Sequence, residues 1–255
     1  MTELVKTANT AYTRYEELLI RRDVIRKEAF HYQMAYLREF GELLSDVFEA
    51  KIKCIEMKKI IAYCQRKLNR GEKLLQSDID QYISSVMADY YDELRFMLER
   101  NKGAKGGEVI NELTYRKIKS VYYKIAKLIH PDMNPSLKDD ETVKQLWNRA
   151  VVAYDCNELK ELEEVLVLVN KYLDSINYQH VDLVIPDINE RVFELNEEIE
   201  KILNTDPYQY KYLLLDKELV DEMKNDLNDE LNDYREYEEE LNEVIASFGI
   251  ERVIS

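Results

Sequence analysis

With 255 residues and 45% hydrophobic side chains the chain can bury a core, and only six Gly and four Pro read as long helices with few turns. Lys and Arg number 36 against 51 Asp and Glu, and the net charge of −15 weighs against general nucleic-acid binding. The opening MTELVK is no signal peptide and the longest uncharged apolar run, Val165 to Val169, is too short for a bilayer, so a cytoplasmic protein without a membrane span is expected.

From about Glu3 to Arg70 apolar residues recur at three- and four-residue steps. Tyr12, Tyr15, Leu18, Leu19, Val24, Ile25, Ala29 and Tyr32 form one series, and Leu43, Leu44, Val47, Phe48, Ile52, Ile55, Ile60 and Ile61 continue it. The pattern predicts amphipathic helices, long enough to pair as a coiled-coil hairpin over residues 1–75. Gly41 is a hinge or a tolerated interior glycine, and Gly71 is a stop signal. Residues 51–70 carry seven basic side chains and one acid, a surface for solvent or for the acidic C-terminal helices of the same chain. The three cysteines, Cys54, Cys64 and Cys156, have no metal or redox spacing and are expected in the core.

Ser77 is placed to cap a helix running to about Arg100, and NKGAKGGE (Asn101 to Glu108) then reads as a flexible joint. That joint lacks the GK[ST] of a phosphate loop. Helices are predicted at about 109–129, 139–155 and 158–172, then a strand-like segment or extended linker from Tyr178 to Pro186. Two acidic helices follow to about Phe248, broken at Asn204-Thr205-Asp206-Pro207. Asp187 to Glu243 alone holds twenty acids against six bases. The expected division is a long helical region (1–75), a middle helical region (76–175) and an acidic C-terminal region (176–255). His31 and His180 are ordinary surface or boundary positions.

The middle helix stands apart. Ile118, Val121, Tyr122, Ile125, Leu128 and Ile129 share one face; Arg116, Lys117, Lys124 and Lys127 share the adjoining one with Tyr123, while Lys119 sits elsewhere. No acid occurs from Thr114 to Ile129, although surface helices ordinarily mix charge signs. A one-sign face calls for a negative partner. The helix halts where Pro131 disfavours helical geometry at His130, and Asp132 follows in the loop. No third metal ligand and no nucleophile accompanies His130 and Asp132 in sequence, so neither a metal, a cofactor nor catalysis is expected. A docking element is.

IKSVYYKIAKLIHPDMNP resembles the second helix and HPD loop of the J-domain, the DnaJ-type co-chaperone module. Ile118, Val121, Tyr122, Ile125 and Ala126 stand at the family's apolar and aromatic positions and Lys124 at a basic one. Downstream, Trp147, Ala150, Ala153 and Tyr154 of LWNRAVVAY match its third helix. The resemblance covers about residues 110–155 and leaves 80–105 to substitute for the first helix. It implies an all-α protein in which a J-domain-like antiparallel helical hairpin is combined with long coiled-coil-like helices. It also implies a non-enzymatic co-chaperone that docks a DnaK-type heat-shock ATPase and stimulates its ATP hydrolysis. His130, Pro131 and Asp132 would form the triggering tip, which must then be exposed. Arg116, Lys117, Lys124 and Lys127 would form the face that meets the chaperone's negative surface. The helical arms would hold a client or complex, with a homodimer open to them.

Two positions that are basic in the family carry Tyr123 and Met133 here. They motivate an alternative: a helical scaffold or interaction protein whose J-like segment is purely structural.

Overall fold

A computed structural model describes residues 2–106, 112–178 and 187–249, and every regular element among them is helical. Helix α1 spans Thr2–Asn69, α2 Gln76–Lys105, α3 Glu112–Ile129, α4 Glu141–Asp155, α5 Leu159–Ser175, α6 Ile188–Leu203, α7 Tyr210–Leu215 and α8 Lys217–Ser247. A single 3-10 turn, Pro135–Leu137, leads into α4. The expected linker at 179–186, His180, and the first residues of the helix predicted from 109 lie outside the described residues.

Chain order does not give the compact units. One unit takes Met1–His31 with Glu108–Gln209, the other Tyr32–Gly107 with Tyr210–Ser255. This differs from the sequential division at 75 and 175. The reason is α1, which continues unbroken as 68 residues instead of folding back at Gly41, so no coiled-coil hairpin forms within 1–75.

In the first unit, α3 and α4 pack on each other and α5 lies against both. Each buries a stripe at helical spacing: Ile118, Tyr122, Ile125 and Ile129 on α3, Val143, Leu146, Ala150 and Tyr154 on α4, Leu162, Val165, Val169 and Leu173 on α5. Asp140 caps α4, its carboxylate accepting from the amides of Thr142 (2.9 Å) and Val143 (3.0 Å). The opening of α1 buries Tyr12, Tyr15, Leu18, Leu19, Ile25 and Ala29 of the apolar series predicted for it, while Val24 and Tyr32 are half-buried.

In the second unit, the rest of α1 meets α2 and α8 through two apolar clusters. Ile52, Met57 and Cys64 pack with Ile79, Met87, Leu241 and Ile245, and Phe40 and Val47 pack with Leu227 and Leu231. The basic 51–70 stretch therefore shares its cluster with the acidic α8, and Lys58 lies over the Tyr237 ring. Cys54 and Cys64 are buried as expected, whereas Cys156 is exposed just beyond α4.

Helix ends follow local chemistry. Gly71 takes φ +70°, which lets Glu72 donate to the Lys67 carbonyl (3.0 Å) and Gly71 to that of Leu68 (2.9 Å). Helix α2 departs from expectation at both ends. It starts at Gln76 without a side-chain cap, Leu75 holding the position expected for Ser77, and it runs through Asn101 to Lys105, where a joint was predicted.

Candidate functional site

The site is built on the α3–α4 connection. His130 still donates its amide to the Ala126 carbonyl (2.9 Å), completing the last turn of α3, and Pro131 then turns the chain away. The His130 carbonyl accepts the amides of Met133 (3.0 Å) and Asn134 (2.9 Å), closing a tight turn around Pro131 and Asp132. Met133 and Asn134 are buried beneath it. The Tyr12 hydroxyl of α1 donates to the Met133 carbonyl (2.6 Å), and the Tyr178 hydroxyl donates to Asn134 Oδ1 (3.3 Å). Met133, standing where the resembled family carries a basic residue, is thus an anchor of the loop.

The tip is not fully outward. Asp132 is exposed and Pro131 half-buried, but His130 keeps only 5% of its surface. Its ring stands edge-on to Trp147, with centroids 4.8 Å apart. Nδ1 accepts the Asp132 amide (3.1 Å), which leaves the ring proton to Nε2, and Nε2 faces Asp23 Oδ2 at 3.7 Å. An exposed His130 was expected; the imidazole is instead packed inward against the opening stretch of α1. The described residues contain no group of three metal-ligating side chains.

Asp23 is itself well held. Arg22 donates to Oδ1 through Nη2 (3.0 Å) and Nε (3.2 Å), and the Tyr122 hydroxyl lies 3.4 Å from Oδ2. Burial alone would raise the Asp23 pKa; the neighbouring His130 and the charge and hydrogen bonds of Arg22 together outweigh it and hold the carboxyl below its ordinary value. Burial, reinforced by the Asp23 and Asp155 charges, pushes the Tyr122 hydroxyl well up, so it stays a neutral donor. One turn along α1, Lys27 donates to the carbonyl of Tyr154 and lies 3.7 Å from the centre of that ring. Burial brings the Lys27 amine down to about 8, with the Asp155 charge working the other way.

These groups border a cavity of about 650 Å³, walled by Arg22, Lys27 and Phe30 of α1, Pro131 and Asp132 of the loop, and Trp147 of α4. Tyr122 stacks on Tyr154 (3.9 Å between centroids, 11° between planes) and leans on Trp147, so the aromatics predicted as interior positions hold α3 to α4.

The basic residues divide as the helical wheel predicts. Arg116, Lys117, Lys124 and Lys127 are exposed, whereas Lys119 is turned to α1 and bonded to Glu28 (2.6 Å). Lys127 lies 5.0 Å from the Tyr123 ring on the same exposed side. The element packed on this pair is also not the one expected. Residues 80–105 belong to the other compact unit, and the first part of α1 supplies the contacts instead. Asp23 and Lys27 were therefore missed, and Tyr12 was read only as an apolar position. Their one signal in the sequence is the i,i+4 row Tyr15, Leu19, Asp23, Lys27, which turns from apolar to charged while staying on the predicted inner side.

No protein-family model, curated protein or solved structure matches the chain. No helix among the described residues is long and apolar enough to cross a membrane.

Proposed function

We propose that this protein is a non-enzymatic co-chaperone that docks a DnaK-type heat-shock ATPase through α3 and the His130-Pro131-Asp132 loop and stimulates its ATP hydrolysis. The observation that carries this reading is the exposed one-sign face of α3, which runs into that loop in a protein of net charge −15. Such a face steers association with a negative partner surface. The pinned loop supports the same reading, because a preformed turn loses little freedom on binding. The helical arms are left to hold a client or a complex.

The test is single-turnover ATP hydrolysis by the DnaK-type chaperone of the same organism, with wild-type protein and with His130→Gln. Stimulation that the substitution abolishes is the expected result. Folded wild-type protein that fails to stimulate even at low salt would defeat the proposal.

One observation favours a second reading, a helical scaffold in which the J-like segment is structural: the burial of His130 against Asp23 and Trp147. On that reading His130→Gln lowers the melting temperature and leaves every chaperone assay unchanged.

A further inference from the structure

We infer that His130 has two seats, the inward one seen here and an outward one beside Asp132, and that Asp23 of α1 is the clasp that holds the imidazole retracted. The regulatory part of this inference rests on the co-chaperone reading; the retraction itself does not.

The loop backbone is fixed independently of the imidazole. Its turn is closed by the Met133 and Asn134 amides, its underside by Met133 and Asn134, and its flank by Tyr12. Only the His130 side chain needs to rotate, and the adjoining cavity of about 650 Å³ gives it room. The residues left behind stay satisfied. Asp23 keeps both Arg22 hydrogen bonds, and the Asp132 amide, released from Nδ1, belongs to an exposed residue that water can reach. The inward seat is likewise satisfied, through Asp132, Asp23 and the Trp147 ring. Two seats that each pair their polar groups define a bistable element, whose balance any differential contact can tip. The arm itself need not move, and its buried Leu19, Ile20 and Ile25 oppose such movement. Lys117, Lys124 and Lys127 are exposed whichever seat is filled, so a negative partner is met first and the imidazole is drawn out second.

The balance is measured by carbethoxylation of His130, followed residue by residue by mass spectrometry, with the exposed His31 as internal reference. In wild-type protein His130 reacts more slowly than His31. Asp23→Ala raises the outward population, and the His130 rate with it, by about tenfold, the shift expected when a close charged partner is lost. Asp23→Asn, which keeps the size of the side chain and removes its charge, moves the rate in the same direction and serves if Asp23→Ala fails to fold. In the chaperone assay, Asp23→Ala reaches half-maximal stimulation at about tenfold lower concentration, because the competent fraction has grown. Adding His130→Gln to it abolishes the gain.

Equal reactivity of His130 and His31 in wild-type protein overturns the retraction. A His130 that opens in the variants without any gain over an active wild type overturns the clasp as a regulator. If no variant stimulates the chaperone, the co-chaperone reading fails and the regulatory role with it, while the reactivity ratio still decides whether the histidine is retracted.

Discussion

Lys27 and Asp23 lie one turn apart on α1 and respond to burial in opposite ways. For Lys27 nothing fully offsets burial, and its folded pKa of about 8 lies below the 10.5 of an unburied lysine. Below about pH 8 the amine is charged in folded and unfolded chains alike, so the cost of burying the charge is present in full. Between about 8 and 10.5 the unfolded chain holds a proton the folded one has released, so this contribution to stability rises with pH. Urea denaturation of wild type and Lys27→Met at about pH 7.5 and about pH 9.5 should show their difference moving in favour of wild type at the higher pH. Parallel behaviour would remove Lys27 from the account. Asp23 has the same sign in the acid range. Its folded pKa is lowered, so its contribution is present above the ordinary carboxylate range and lost as pH falls through the lowered value. Asp23→Asn should unfold with a shallower acid limb than wild type, and an unchanged limb would contradict the pairing with His130 and Arg22.

At the scale of the helix, Gly41 and Asn101 show where local rules give way to packing. The buried Asn101 donates to the Gly41 carbonyl and to Ser45 Oγ (2.7 Å), so α2 is held against α1 just where the glycines of NKGAKGGE predict a joint. A glycine inside a helix costs only about 1 kcal/mol relative to alanine, which one buried hydrogen-bonded contact can override. Gly41 in turn admits Asn101: a Cβ there would stand 2.5 Å from Asn101 Oδ1 and 2.7 Å from its Cγ. Gly41→Ala should destabilise by about 1–3 kcal/mol in chemical denaturation. Asn101→Ala in the same chain should recover part of that loss, and simple additivity of the two would mean the residues do not interfere. The inner face of α3, its exposed basic face and the Gly71 stop were legible because each is written in local periodicity or a local dihedral need. The continuity of α1, the extension of α2 and the Asp23–His130 contact depend on residues 60 or more positions apart, and no local pattern encodes those. Asp140 marks the boundary between the two kinds. The helix it starts was legible at about 139, and its carboxylate also accepts the Tyr172 hydroxyl of α5 (2.7 Å). Asp140→Ala should cost about 1 kcal/mol through the lost cap, read as a lower denaturation midpoint.

For the whole molecule the governing fact is a charge balance of −15 that coexists with an exposed basic face. The acids concentrate from Asp187 to Glu243, while Arg116, Lys117, Lys124 and Lys127 stand on a helix with no acid from Thr114 to Ile129. A negative partner therefore meets repulsion from the molecule as a whole and attraction over one helix face, so orientation is decided before contact. Both fields fade with salt, since the screening length is about 10 Å at 0.1 M and shorter above it. Short-range attraction on a matched face should dominate near contact, so association with the proposed DnaK-type partner should weaken as salt rises. Replacing Lys117, Lys124 and Lys127 together by Gln should remove most of that dependence. Because the three side chains are exposed, the substitution should leave the melting temperature close to wild type. Titrating chaperone stimulation against salt for both proteins checks this: a steep decline in wild type and a shallow one in the triple variant is the expected pair. Equal slopes would show that the α3 face takes no part in docking, and the loop alone would then have to account for any stimulation observed.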